Sequence, residues 1–225
     1  MPLGASRLNG LSRFVSSAGP RTAATLTTHG NAQVDTAQYK FGGASALFDG
    51  ASDGISVSAN VVGVTLTGDY TIEAWVRIAT TSGSKSVFDF RQESTGYPVY
   101  FISGAFIAVY QGGTTNGGTL SVNTWHHCVW QRSSGSILMF VDGVQSGSRT
   151  SGTSINWGES DIGSNYVLGS VMNGHIDELR VSDTARYSTG GFTPPTSAFS
   201  SDANTLLLVH ADGSDGSTTF TDDVS

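Results

Sequence analysis

With 225 residues and a formal net charge of −7, the chain is too acidic for a nucleic-acid backbone to be its expected partner. A single cysteine, Cys128, excludes an internal disulfide, so stability must come from a packed core, which a chain of this length can build. No run of 18 apolar residues offers a membrane span, and no apolar stretch of leader length opens the sequence.

Glycine is abundant at 29 residues, and only 13% of residues are charged. Turn residues separate short runs rich in Val, Ile, Phe, Tyr and Trp, a pattern of many strands and few helices. Residues 1–22 stand apart. Arg7, Arg13 and Arg21 lie there, and no acid precedes Asp35. Leu8, Leu11 and Val15 fall at i, i+3 and i+7, and Phe14 adds an aromatic ring. Two readings stand: a frayed basic tail, or an arm (Arg7, Leu8, Leu11, Arg13, Phe14, Val15) that docks on an acidic, apolar partner surface.

From residue 23 onward the strands follow one another. Residues 23–27 read as a weak strand, 31–40 as polar, 45–49 and 54–57 as short strands. Tyr70–Ile78 is the cleanest: Tyr70, Ile72, Ala74, Val76 and Ile78 share one face, and Thr71, Glu73, Trp75 and Arg77 the other. Further strands are predicted over 86–91, 99–102 and 106–110, before a Gly-rich loop. Strands over 126–132 and 137–141 flank Ser133-Ser134-Gly135-Ser136, and Asp142-Gly143 turns the chain again, so a three-stranded meander is expected. Cys128, within it, reads as a small buried hydrophobe rather than a nucleophile. Leu138 and Phe140 oppose Ile137, Met139 and Val141, so this strand needs cover on both faces, with the N-terminal arm as the expected cover. Residues 156–165 read as a polar loop. In the strand over 175–181, alternation places Asp177 with Leu179 and Val181. Phe192-Thr-Pro-Pro195 breaks the pattern, and 205–210 is a last strand. No Lys or Arg follows Arg186, whereas Asp202, Asp212, Asp215, Asp222 and Asp223 do. The sum is an antiparallel all-β sandwich over 23–225, with 204–225 supplying a C-terminal edge strand and an acidic tail.

Five segments come in a familiar order: Lys40 to Gly50, Tyr70 to Val76, Trp125-His-His127, Phe140-Val-Asp-Gly143 and Gly174 to Arg180. Together they resemble concanavalin A-like, laminin-G-like jelly rolls over about residues 40–195. With Arg186-Tyr187, Phe192 to Pro195 and Asn204 to His210, the pattern is similar to versions found in tailed-bacteriophage structural proteins, marine phages included. The resemblance implies a two-sheet jelly roll, a fold that hosts lectins, hydrolases and structural modules alike. In tandem forms of that family a segment like 206–221 precedes one like 23–50. Here it comes last, either closing its own sandwich or joining a neighbour's sheet.

Catalysis finds little support in the residues. Glycoside hydrolysis needs two carboxylates across the scissile bond, and the fold's hydrolases place them on one strand as Glu-x-Asp-x-Glu. The nearest approach, His175-Ile-Asp177-Glu178-Leu179, sets its acids on opposite faces of a regular strand. Asp177 is either held by backbone N–H groups of a nearby loop or a metal ligand. Calcium is the only cofactor the fold suggests, with Asp49 and Asp53 as first candidates, Asp161 and Asn165 as loop partners and Asp177 beside them. Asp-Gly pairs serve equally as turns. Zinc is disfavoured, because His126 and His127 are adjacent on a strand. For glycan binding, Trp75 with Glu73 and Arg77 is one candidate surface, and Tyr110, Trp157 and Tyr166 on loops are others. The alternative is that these rings are core. The expectation is a non-enzymatic, homo-oligomeric virion component (head decoration or fibre) attached to capsid or tail proteins by its arm, with possible glycan contact and neither nucleic acid nor membrane as partner. A calcium-dependent extracellular lectin is the alternative.

Overall fold

The computed structural model describes residues 23–58, 64–90, 99–104, 106–110, 114–151 and 154–224. Two antiparallel sheets face each other across one core. The first runs in the order β1 (Thr25–His29), β4 (Gly54–Ser58), β15 (Ser160–Ile162), β7 (Ser84–Asp89), β8 (Val99–Ser103), β9 (Phe106–Tyr110) and β10 (Thr114–Thr119). The second runs β13 (Val144–Thr150), β12 (Ser136–Val141), β11 (His126–Ser133), β6 (Tyr70–Ile78), β16 (Asn173–Ser182), β3 (Ser45–Asp49) and β2 (Gln33–Asp35). On its β3 side β16 meets two strands in turn, β3 along its first half and β17 (Thr205–Val209) of the same chain along its second. A small ladder of β5 (Thr65–Leu66) with β14 (Ile155–Asn156) completes the described pairing.

The alternation in β6 works as read: Tyr70, Ile72, Ala74, Val76 and Ile78 are buried in the shared core. Two tight turns set the meander. Ser133 pairs with Ser136 across Ser134 and Gly135, and Val141 with Val144 across Asp142 and Gly143. All four central residues have positive φ, the two-residue turn that matches strand twist.

The departures have physical reasons. Residues 156–165 are not all loop: β15 is wedged between β4 and β7, its three residues too few to show a period. Most of the polar face of β6 does not meet water: Thr71, Glu73 and Trp75 are buried. A segment over 183–204 crosses the outer face of the larger sheet as a third layer. Tyr187 and Phe192 cover Val129, Leu138 and Phe140, so the cover expected there comes from this segment; the N-terminal arm lies outside the described residues. Two prolines in Phe192-Thr-Pro-Pro195 suit a segment that overlies a sheet without joining its ladder.

β16 carries the last departure. Asp177 stands opposite Trp75, and Arg180 opposite Glu73, so three steps on one strand match two on the other. Glu178 absorbs the extra residue as a bulge, with φ at 55°. Beyond it the faces swap. Asp177 therefore lies on the outer face with Arg180, while Leu179 and Val181 enter the core. Regular alternation had placed Asp177 with the latter two.

Candidate functional site

On the smaller sheet, β1, β4 and β15 run side by side. Ile55, Val57 and Ile162 fill the core, so Ser56 and Asp161, which are register partners, face away from it. They open into a depression of about 220 Å³ lined by His29, Ser56, Glu159, Asp161, Tyr166 and Leu168. Tyr166 and Leu168 come from the loop after β15. Asn165 shapes that loop: its Oδ1 accepts the N–H groups of Val167 (3.3 Å) and Gly169 (2.6 Å). Asp89 Oδ2 accepts the Tyr166 N–H at 3.3 Å.

A hydrogen-bonded row crosses the floor. His29 Nε2 lies 2.8 Å from Ser56 Oγ, and Ser56 donates to Asp161 Oδ1 at 2.7 Å. An ionised carboxylate only accepts, so the network assigns the His29 proton to Nε2, donated to the serine. Burial pushes the Asp161 carboxyl above its ordinary range, and the nearby Asp89 and Glu159 carboxylates add to this against the Ser56 hydrogen bond. Triad chemistry needs the imidazole between hydroxyl and carboxylate. Here the hydroxyl stands in the middle, its proton committed to Asp161, so His29 has no proton to take from it. Asp89 is Asp161's register partner but fully buried, out of reach of a glycosidic bond. The arrangement lacks the geometry that activates a serine nucleophile.

The other outer face holds a buried ionic cluster. Glu73, fully buried, meets Arg180 Nε at 2.9 Å and Nη2 at 2.7 Å, His127 Nε2 at 3.0 Å and the Tyr187 hydroxyl at 2.5 Å. Burial alone would raise its carboxyl, but the His127 hydrogen bond and the Arg180 charge bring it below the ordinary range. Gln131 binds Tyr187 on both sides, its Oε1 accepting the Tyr187 N–H and its Nε2 donating to the Tyr187 carbonyl. These contacts fasten the third layer.

The expected glycan residues fare unevenly. Trp75 and Glu73 are buried beneath the third layer, Trp75 against Phe41, His127, Phe199 and Leu208. Lys40 Nζ sits 3.9 Å from the Trp75 ring centroid. Arg77 is half-buried on the same face. Trp157 is core, edge-on to Phe88 and Phe90, with its Nε1 donating to Ser160 Oγ at 3.0 Å. Neither Trp75 nor Trp157 forms an open sugar platform, because rings on this sandwich serve packing first. The Tyr110 side chain lies outside the described residues. Tyr166 lines the depression.

The five calcium candidates are not gathered. Asp53 accepts the N–H groups of Asn31 and Asp49, and Asp49 those of Ala51 and the Asn31 side chain. Asp161 and Asn165 belong to the depression and its loop. Asp177 Oδ2, on the opposite sheet, accepts the N–H groups of Lys40 (2.7 Å) and Phe41 (3.1 Å). Among the described residues no group of three or more His, Cys, Asp or Glu suits a metal ion. His29, Ser56 and Glu159 went unnoticed in the sequence. Ser56 alternates with Ile55 and Val57, which marks it as outward; its pairing with Asp161 needed β15, which carries no pattern of its own.

The fold and the depression define a class of β-sandwich with an open concavity on its outer face. A family model described as the concanavalin A-like lectin/glucanases superfamily matches residues 49–189, and the chain belongs to that family. Domain 4 of AbnA, a GH43 extracellular arabinanase from Geobacillus stearothermophilus solved with arabinotriose, is 18% identical at a TM-score of 0.55, covering 77% of this chain and 85% of its own. The binding domain of botulinum neurotoxin DC in complex with SialylT is 12% identical at 0.54, over 73% of this chain and 44% of that one. Domains LG4-5 of the mouse laminin alpha1 chain are 17% identical at 0.50, over 76% and 48%. The chain spans about half the length of several of the solved chains it matches. These likenesses show the fold. No curated protein matches the sequence. No helix among the described residues is long and apolar enough to cross a membrane.

Proposed function

We propose that this domain is a non-catalytic carbohydrate-binding module that takes a glycan at the Tyr166–Asp161 depression. The carrying observation is chemical: a carboxylate and a second acid, Glu159, stand beside an aromatic ring in one concavity, which is what a sugar's hydroxyls and apolar faces need. At about 220 Å³ the concavity is smaller than sites for drug-sized ligands, commonly about 300 Å³ or more. A chain terminus or a single ring suits it. The arabinotriose complex of the similar arabinanase domain and the SialylT complex of the toxin domain support a sugar as ligand. The finer reading, a homo-oligomeric surface component of a phage virion attached to capsid or tail proteins through residues 1–22, rests on the order of sequence motifs.

A glycan array probed with the whole chain tests the module. Tyr166→Ala is expected to weaken the best hit about tenfold, the scale of one lost stacking contact. Asp161→Asn is expected to weaken it as well, both variants keeping the wild-type melting temperature. Binding that survives both changes untouched places the glycan elsewhere.

A further inference from the structure

Among the described residues, the formal charges that line the depression are of one sign. Asp161 and Glu159 line it, and among the described residues no lysine or arginine does. His29 offsets part of this charge from across Ser56, its Nε2 being hydrogen-bonded to the serine and not to a carboxylate. Glu159 is exposed and makes no hydrogen bond or ion pair among the described residues. Asp161 spends one oxygen on Ser56, leaving Oδ2 without a donor among the described residues. The site therefore offers acceptors and negative charge, and asks its ligand for donors and positive charge. Tyr166 and Leu168 add an apolar wall, which a bare cation cannot use. A metal ion fits poorly for a second reason: the acids are not converged enough to hold one.

A sugar carrying a free amine meets every term. Its ammonium brings three N–H donors and one positive charge to Asp161 and Glu159, while its ring lies against Tyr166. Building on the glycan reading, we infer that the depression selects amino sugars with an unmodified ammonium over their N-acetylated and acidic counterparts. An acetylated amine keeps one donor and loses the charge. A uronate brings like charge against two carboxylates, a contact that costs affinity outright.

The test is calorimetric titration of the whole chain with three matched disaccharides: one of glucosamine, one of N-acetylglucosamine and one bearing glucuronate, at a pH that keeps the amine protonated. The glucosamine form is expected to bind at least tenfold tighter than the acetylated form, and the acidic form weakest. The advantage should shrink at high salt, as a charge contact near the surface does. Glu159→Gln should bring the amine-to-acetyl ratio toward one. Spermidine supplies positive charge without a sugar ring. If it binds as tightly as the glucosamine disaccharide, the ring plays no part and the inference falls. If the acetylated form binds as well as the amine, the inference falls while the glycan reading stands. If no sugar in the set or on the array binds, both fall together.

Discussion

At the scale of single residues, Glu73 carries the clearest lesson. It sits on the polar face of a well-patterned strand, where alternation alone predicts water. It is instead fully buried, held by Arg180, His127 and Tyr187. Such a cluster contributes less net stability than its Coulomb energy suggests, because both ions were desolvated to make it. Breaking it is another matter. Arg180→Met is expected to cost about 3–5 kcal/mol, since Glu73 keeps its charge and loses its cation. Urea denaturation at neutral pH measures this, and a loss under about 1 kcal/mol would show that the ion pair does not hold the third layer down. The inward half of β6 was legible because apolar residues repeat every second position. The outward half was not, because nothing within β6 says that a segment more than a hundred residues later will cover it. The candidate site was half legible for a similar reason. Asp161 and Tyr166 drew notice separately, one as a calcium ligand and one as a sugar platform, but only the pairing of β15 with β4 joins them to Ser56 and His29.

At the scale of elements, turns were read well and irregular pairings poorly. The Ser134-Gly135 and Asp142-Gly143 turns follow from local chemistry, so they appear in the sequence. The bulge at Glu178 does not: it reflects what its side chain reaches. One Glu178 carboxylate oxygen accepts the Phe199 N–H at 2.6 Å and the other meets His210 Nδ1 at 2.8 Å. Together they tie β16 to the third layer and to the residue following β17. Gly143 makes the companion link. A Cβ there would lie 1.9 Å from the Phe192 carbonyl oxygen, and φ is 78°. The Phe192 N–H in turn donates to the Gly143 carbonyl at 2.9 Å. Gly143→Ala is therefore expected to destabilise by about 2 kcal/mol or more, combining the left-handed backbone cost with displacement of Phe192. Hydrogen exchange locates the damage: faster exchange should be concentrated in 187–192 and the 142–144 turn. Uniform loosening across the smaller sheet would contradict the close approach as cause.

At the scale of the whole molecule, the end of the chain is what closes the larger sheet, and it does so with acids. Val34 exchanges backbone hydrogen bonds with Gly216 and Ser217, and Asp222 accepts the N–H groups of Ala24 and Leu208. Beside this seam Asp177 clasps the Lys40–Phe41 backbone, with Glu178 and Asp212 near enough to repel it. Burial first, and those two charges after it, push the Asp177 carboxyl up to about 7, against the two N–H groups it accepts. In the unfolded chain the same carboxyl titrates near 3.9. Between those values the folded chain holds a proton that the unfolded chain has released, so this group's contribution is complete below about pH 4 and is lost as pH rises through about 7. His210, raised chiefly by its hydrogen bond to Glu178, changes stability in the same sense. Asparagine keeps an acceptor for the Lys40 and Phe41 N–H groups and cannot ionise. Relative to the wild type, Asp177→Asn should be nearly neutral at pH 4 and stabilising at pH 8, by a difference on the order of 2–4 kcal/mol. Denaturant midpoints at the two pH values measure it. An equal effect at both would mean that the carboxylate carries its charge in the fold without penalty, and that the seam is held by geometry alone.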